Sequence, residues 1–185
     1  MPISYTDAYP LPVFPPPHVS GRFYDSIIAT GATTTLVLSV NTLYGVYFTV
    51  PKRATYVVLQ LEVSSAAAAG KLLRLGIYND SDGVPGSLVL DGGTVLADAT
   101  GSRSVVISQV LNPGGYWLAV VSDGTPTVRA NNLTSGAHWH GFTSGTDVTV
   151  HMGWSVAFTF AALPTPFTAG GALMTVSAPK IQIGT

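Results

Sequence analysis

The chain has no cysteine among its 185 residues, which excludes disulfides and thiolate metal sites and leaves the redox compartment open. Charge is scarce. Asp, Glu, Lys and Arg make up 9% of the sequence, against about 25% in an average soluble domain, and Glu62 is the single glutamate. The formal net charge is −1, and Lys52-Arg53 is the one adjacent basic pair. Such a balance leaves no electrostatic footprint for nucleic acid or an anionic membrane. The longest apolar run, Leu36 to Val50, is broken by Ser39, Asn41, Thr42 and Gly45 and is too short to span a bilayer. Met1 to Asp7 has neither a basic n-region nor an apolar h-region, so no secretory signal is expected. A Gly-x-Ser-x-Gly elbow, a Gly-x-x-x-x-Gly-Lys phosphate loop and a dinucleotide fingerprint are all missing. The chain reads as a non-enzyme with no cofactor, no nucleic-acid partner and no membrane insertion.

Apolar and small residues take the place of charge. Mean hydropathy is +0.39. A chain of this length builds one domain with a real core, burying roughly 70% of its unfolded surface. A lone monomer has few polar groups to cover what remains, so part of the surface is expected to be buried against other subunits.

Residues 1–22 differ from the rest. Tyr9-Pro10-Leu11-Pro12-Val13-Phe14-Pro15-Pro16-Pro17 donates few backbone hydrogen bonds and is biased to extended polyproline II, not to a central strand. A purely solvated arm has no use for so many large apolar side chains. Tyr5, Tyr9, Leu11, Val13 and Phe14 are therefore the candidate anchors of a docking arm.

From Phe23 the chain reads as about ten short strands separated by turn residues. In Thr55 to Ser64, Val57, Leu59, Leu61 and Val63 are assigned to one face and Tyr56, Val58, Gln60 and Glu62 to the other. Ala66 to Gly70 is long enough for one helical turn. Strands are expected at Leu72 to Tyr78 and Ser87 to Val95, joined by a turn-rich loop, and again at Tyr116 to Ser122. Val148 to Phe160 holds period two, which predicts one long strand with Trp154 in the core. The last segment also alternates, and Pro179 marks it as an edge strand or a pair of short ones. The fold class is all-β: an antiparallel two-sheet β-sandwich, jelly-roll-like, with an extended Pro-rich N-terminal arm. The expected organisation is an arm over 1–22, a sandwich over 23–163, and a C-terminal segment over 164–185 that forms edge strands or swaps between subunits.

Leu73-Arg74-Leu75-Gly76-Ile77-Tyr78, the loop through Asp82-Gly83-Val84-Pro85-Gly86, and Gly115-Tyr116-Trp117-Leu118-Ala119-Val120-Val121-Ser122 resemble β-sandwich modules of tailed-bacteriophage tail and fibre proteins. Thr42 to Pro51 fits the same pattern, so the resemblance covers residues 30–130. It implies a structural or adhesive virion part, often a homotrimer, with other virion proteins and a host surface glycan as partners. It carries over no ligand-contact residue, because the shared motifs are strand and turn residues. Two alternatives stay open: a capsid decoration protein without ligand, and a carbohydrate-binding module of a secreted bacterial protein.

Asp80, Asp82, Asp91, Asp98 and Asp123 each sit beside turn residues, where aspartate bonds backbone and tolerates tight turns. Asn79, Asp80 and Asp82 also carry the oxygens calcium takes, but the run lacks the later bidentate Glu of an EF-hand. No pair of carboxylates stands out for glycosidase chemistry. His138-Trp139-His140 is the most suggestive local group. On a strand the two imidazoles share a face and, with His151, have metal-ligating spacing, yet no acidic or cysteine ligand lies near. Contact is the preferred reading, with Trp139 stacking on a sugar face or packing in an interface.

Overall fold

The computed structural model describes residues 16–25, 33–132, 153–175 and 177–185, and among them it is all-β, with two antiparallel sheets and no helix. The first sheet holds β1 (Phe23–Tyr24), β2 (Thr33–Val37), β4 (Ala54–Ser65), β7 (Gly101–Leu111), β9 (Thr127–Asn132), β12 (Ser177–Pro179) and β13 (Gln182–Gly184). The second runs β11 (Ala172–Met174), β10 (Gly153–Ala157), β3 (Thr42–Val50), β8 (Gly114–Ser122), β5 (Leu72–Ser81), β6 (Val84–Leu96). β4 is the spine of the first sheet, with β7 on one edge and β13 and β9 on the other.

The core lies between the sheets. Tyr44, Val46 and Phe48 of β3, Leu73, Leu75 and Ile77 of β5, and Leu118 and Val120 of β8 meet Tyr56, Leu59, Leu61 and Val63 of β4, with Val105 and Ile107 of β7 and Ile183 of β13. Alternate positions supply these contacts, as a pleated strand requires.

The second sheet is buried on its other face as well. Leu43, Tyr78, Trp117, Ala119, Val121 and Val156 form a second cluster with Leu163 and Phe167 from the segment after β10. Every residue from Tyr116 to Ser122 is buried, which is why β8 reads as an unbroken apolar run rather than an alternating one. The strap 158–171 is held by directed bonds. Phe158 and Phe160 donate their N–H groups to the backbone and side-chain oxygens of Asn41, at 2.8 and 2.9 Å. Leu163 N–H donates to Asp91 at 3.0 Å, Tyr78 O–H to the Pro164 carbonyl at 3.0 Å, and Phe167 N–H to the Gly86 carbonyl at 2.9 Å. Gly76 is required beneath the strap, since a Cβ there would overlap the Leu163 side chain and the Leu90 carbonyl.

Five sequence expectations change. The strand ending in Phe160 stops at Ala157, because Asn41 takes the next N–H groups. Trp154 is half-buried under the strap rather than between the sheets: it registers with Gly45, while its neighbours Gly153 and Ser155 register with the core residues Val46 and Tyr44. Tyr56 is fully buried and Val57 exposed, the reverse of their assignment, because the β4–β7 register slips between Tyr56 and Val58. The loop after Tyr78 is a tight hairpin. Ser81 pairs with Val84, and only Asp82 (φ 52°) and Gly83 (φ 84°) turn the chain, both with the positive φ of a two-residue hairpin turn. Ala66 to Gly70 forms an irregular turn, not a helical one.

The first and last described segments are tied together. β1 pairs with β13, and Gly21 N–H donates to the Thr185 carbonyl at 2.8 Å. β12 and β13 lie along β9 and β4 as two short strands, separated by a turn at Pro179 to Ile181.

Candidate functional site

All of the described acids but Asp82 are engaged one by one. Asp80 accepts the Trp117 indole N–H at 2.8 Å and the Gly83 N–H at 3.3 Å. Asn79 donates its amide N–H to the Ser87 hydroxyl at 2.9 Å. Asp98 accepts from Gly70 N–H at 3.2 Å and Asp123 from Leu72 N–H at 2.6 Å. These last two bond segments far away in sequence, so turn aspartates here also stitch one loop to another. Asp91 receives both a forked Arg74 contact, at 2.7–2.9 Å, and the N–H groups of Gly93 and Leu163. Burial pulls its pKa upward, but Arg74 and the two N–H groups outweigh that and hold it below the ordinary carboxylate value. No group of three or more His, Cys, Asp or Glu gathers as a metal site among the described residues.

Two features stand out on the outer face of the first sheet. The first is a polar groove of about 380 Å³ lined by Thr33, Glu62, Arg129, Lys180 and Gln182. Gln60 and Glu62 alternate with the core residues Leu59 and Leu61, and Lys180 and Gln182 with Ile181 and Ile183, so the four share the side away from the core. A hydrogen-bonded ladder crosses three strands here. Ser102 O–H donates to Gln60 Oε1 at 2.9 Å, and Gln60 Nε2 donates to Gln182 Oε1 at 3.1 Å. Arg129 forks onto Glu62 at 2.9 and 3.3 Å, and that hydrogen bond lowers the Glu62 pKa. Lys180 pairs with Asp25 at 3.3 Å; burial raises the Asp25 pKa against that pairing. Each cation of the groove thus faces its own anion. The groove presents amides, a hydroxyl and balanced charges, a set that hydrogen-bonds a neutral, hydroxyl-rich ligand.

The second feature is apolar. Val106, Val58, Gly184 and Phe23 stand in register across β7, β4, β13 and β1. Val106 is 88% exposed, Phe23 is exposed, and Val57 and Val110 add to the same region.

On the second sheet, a cleft of about 150 Å³ opens beside Trp154 and Phe167, between the β5–β6 hairpin and the strap. Trp154 donates its indole N–H to the Gly170 carbonyl at 3.2 Å.

Tyr5, Tyr9, Leu11, Val13 and Phe14, together with His138, Trp139, His140 and His151, lie outside the described residues. The groove escaped the sequence reading because its residues come from four strands distant in the chain. The available signal was the alternation of Gln60 and Glu62, and of Lys180 and Gln182, with aliphatic neighbours.

No protein-family model matches the chain, and no curated protein or solved structure matches it either. What stands is the class defined by the fold: an all-β protein of two antiparallel sheets sharing one core, sandwich-like in architecture.

Proposed function

We propose that the chain is a non-enzymatic structural protein of a tailed-bacteriophage virion, of the tail- or head-fibre type. Residues 1–22 anchor it to other virion proteins, with Tyr5, Tyr9, Leu11, Val13 and Phe14 as contacts. A jelly-roll-like sandwich projects outward as a homotrimer. His138, Trp139 and His140 form its contact surface for a host glycan. The protein is assembled in the host cytoplasm and resides in the particle.

The apolar row on the first sheet is the observation that carries the assembly. Val106, Phe23, Val57 and Val110 are exposed in a chain with only 9% charged residues, and a second copy is the occupant that fits. The structural role draws support from the acids: Asp25, Glu62, Asp80, Asp91, Asp98 and Asp123 each hold a structural partner. The phage assignment itself draws on the strand-and-turn motifs at 73–78, 82–86 and 115–122, which is a resemblance and an associational warrant. Labelling the chain in intact particles for electron microscopy tests it. Label on the head or tail supports the reading, and label on neither overturns it.

The polar groove at Glu62, Arg129 and Gln182 favours a second reading, a carbohydrate-binding module. A glycan array separates the two. Binding abolished by Gln182→Ala and kept by Trp139→Ala would place recognition on the sheet. The opposite pattern would place it at 138–140.

A further inference from the structure

We propose that His18 is a proton-operated clasp, fastening residues 16–25 and thereby the base of the N-terminal arm to the sandwich when neutral and loosening it when protonated.

The geometry is that of a closed aromatic seat. The imidazole stacks on Tyr24 of β1, ring centres 3.8 Å apart and planes 14° from parallel. Phe48 of β3 approaches at 5.5 Å, and Tyr56 of β4 stands edge-on at 5.8 Å. His18 Nδ1 lies 2.6 Å from the Tyr56 hydroxyl. Tyr56 itself is fully buried and belongs to the main core. The ring therefore reaches from an exposed stretch into the core: Pro16, Pro17, Val19, Ser20 and Gly21 are all exposed, while His18 is half-buried.

The seat suits the neutral ring. With the proton on Nε2, Nδ1 accepts the Tyr56 O–H. Protonation makes both nitrogens donors, and the Tyr56 hydroxyl hydrogen then loses that acceptor inside the core. Among the described residues, Tyr24 and Tyr56 are the titratable groups that touch the ring, and Tyr116 of β8 bears electrostatically on Tyr56. Burial raises the Tyr56 pKa above the ordinary tyrosine value, so that hydroxyl keeps its proton. The Tyr24 hydroxyl is occupied by the Val19 backbone, and Asp25 is held by Lys180. Among the described residues no carboxylate offsets the positive ring. Burial alone lowers its pKa below the ordinary 6.5.

The sign follows from linkage. A free His18 binds a proton more readily than a seated one, so seating is at full strength above pH 6.5. It weakens as pH falls through that value and levels off below the depressed pKa of the seated ring.

The clasp bears on the virion role only through the arm, and the free full-length chain tests it without a particle. Ring resonances of His18 are followed by NMR from pH 8 to 4.5, beside amide exchange of residues 16–25 corrected for intrinsic rates. The midpoint is expected below 6.5. Protection is expected to fall by the ratio of the two acid constants, tenfold for each unit between them. His18→Phe keeps the stack and should abolish the step; replacing His138, His140 and His151 together with Gln should leave it. A midpoint at or above 6.5, protection that ignores pH, or a step surviving in His18→Phe overturns the clasp. The wild-type midpoint decides the matter even where His18→Phe does not fold.

Discussion

The outer faces of the two sheets have met opposite fates. On the second sheet, Trp117, Ala119, Val121 and Tyr78 point away from the main core and are covered by Leu163 and Phe167 of the chain's own strap. On the first, Val106, Val57 and Phe23 point outward and stay exposed, beside a polar groove. Both faces carry apolar side chains, but among the described residues only the second sheet's outer face has a cover. The covered face is a third layer of the fold, and its energy belongs to folding. The open face contributes little to folding, and whatever it gains comes from association. The same type of residue should therefore give different readouts on the two sides.

The largest contrast is expected from truncation. Phe167→Ala removes a buried ring that packs edge-on to Tyr78, with ring centres 4.9 Å apart. It should cost about 3–5 kcal/mol in urea denaturation. Leu163→Ala should cost about 2–5 kcal/mol by the same measure. A loss below 1 kcal/mol in both would show that the strap is not a folding layer.

Next in size is the pin between strap and sheet. Asp91→Asn weakens the Arg74 contact and the hold on Leu163 N–H, and about 1–3 kcal/mol should go. Asp91 has a depressed pKa in the fold, so its contribution is present above the ordinary carboxylate value, about 3.9, and is lost as pH falls below it. The variant should flatten the acid limb of the stability curve below about pH 4. An acid limb identical to wild type would remove Asp91 from the account.

The strap also shows where sequence reasoning ran out. Strand positions were legible wherever one face is buried, as at Leu59, Leu61 and Val63, because period two reports one core. Trp154 was misplaced because alternation identifies two faces without saying which one meets the other sheet. Gly45 and Gly76 carry that information, since each recesses the outer face under the strap. Glycine looks the same in a turn, so its meaning emerges only with Leu163 and Phe167 in place. The Tyr56 and Val57 reversal has a local cause: a register slip leaves no mark in composition. The polar groove was half visible, in Gln60 and Glu62, and completed only by pairing β4 with β13 across 122 positions of sequence, as the Gln60–Gln182 bond records.

On the open face, Val106→Arg should leave the isolated chain's stability within about 0.5 kcal/mol of wild type, because an exposed side chain has little to lose. Its effect should appear in mass: analytical ultracentrifugation is expected to show wild-type oligomer and variant monomer. An oligomer unaffected by Val106→Arg and by Phe23→Arg together would assign the interface to another surface.

The smallest effect on folding, and the sharpest on ligand, belongs to the groove. Glu62 and Arg129 are surface groups in mutual contact, so Glu62→Gln should leave the melting temperature unchanged within error. The substitution keeps shape and one acceptor but removes the partner that neutralises Arg129. A groove built for neutral hydroxyl-rich ligands should then lose affinity for them and gain nonspecific affinity for anions, because an unbalanced guanidinium seeks a carboxylate or sulfate. Binding of neutral and sulfated oligosaccharides, compared by calorimetry on wild type and Glu62→Gln, reads both changes at once. A preference that does not move between the two glycan classes would mean that the balanced pair only tidies charge on a sheet surface, leaving the exposed valines as that face's one functional feature.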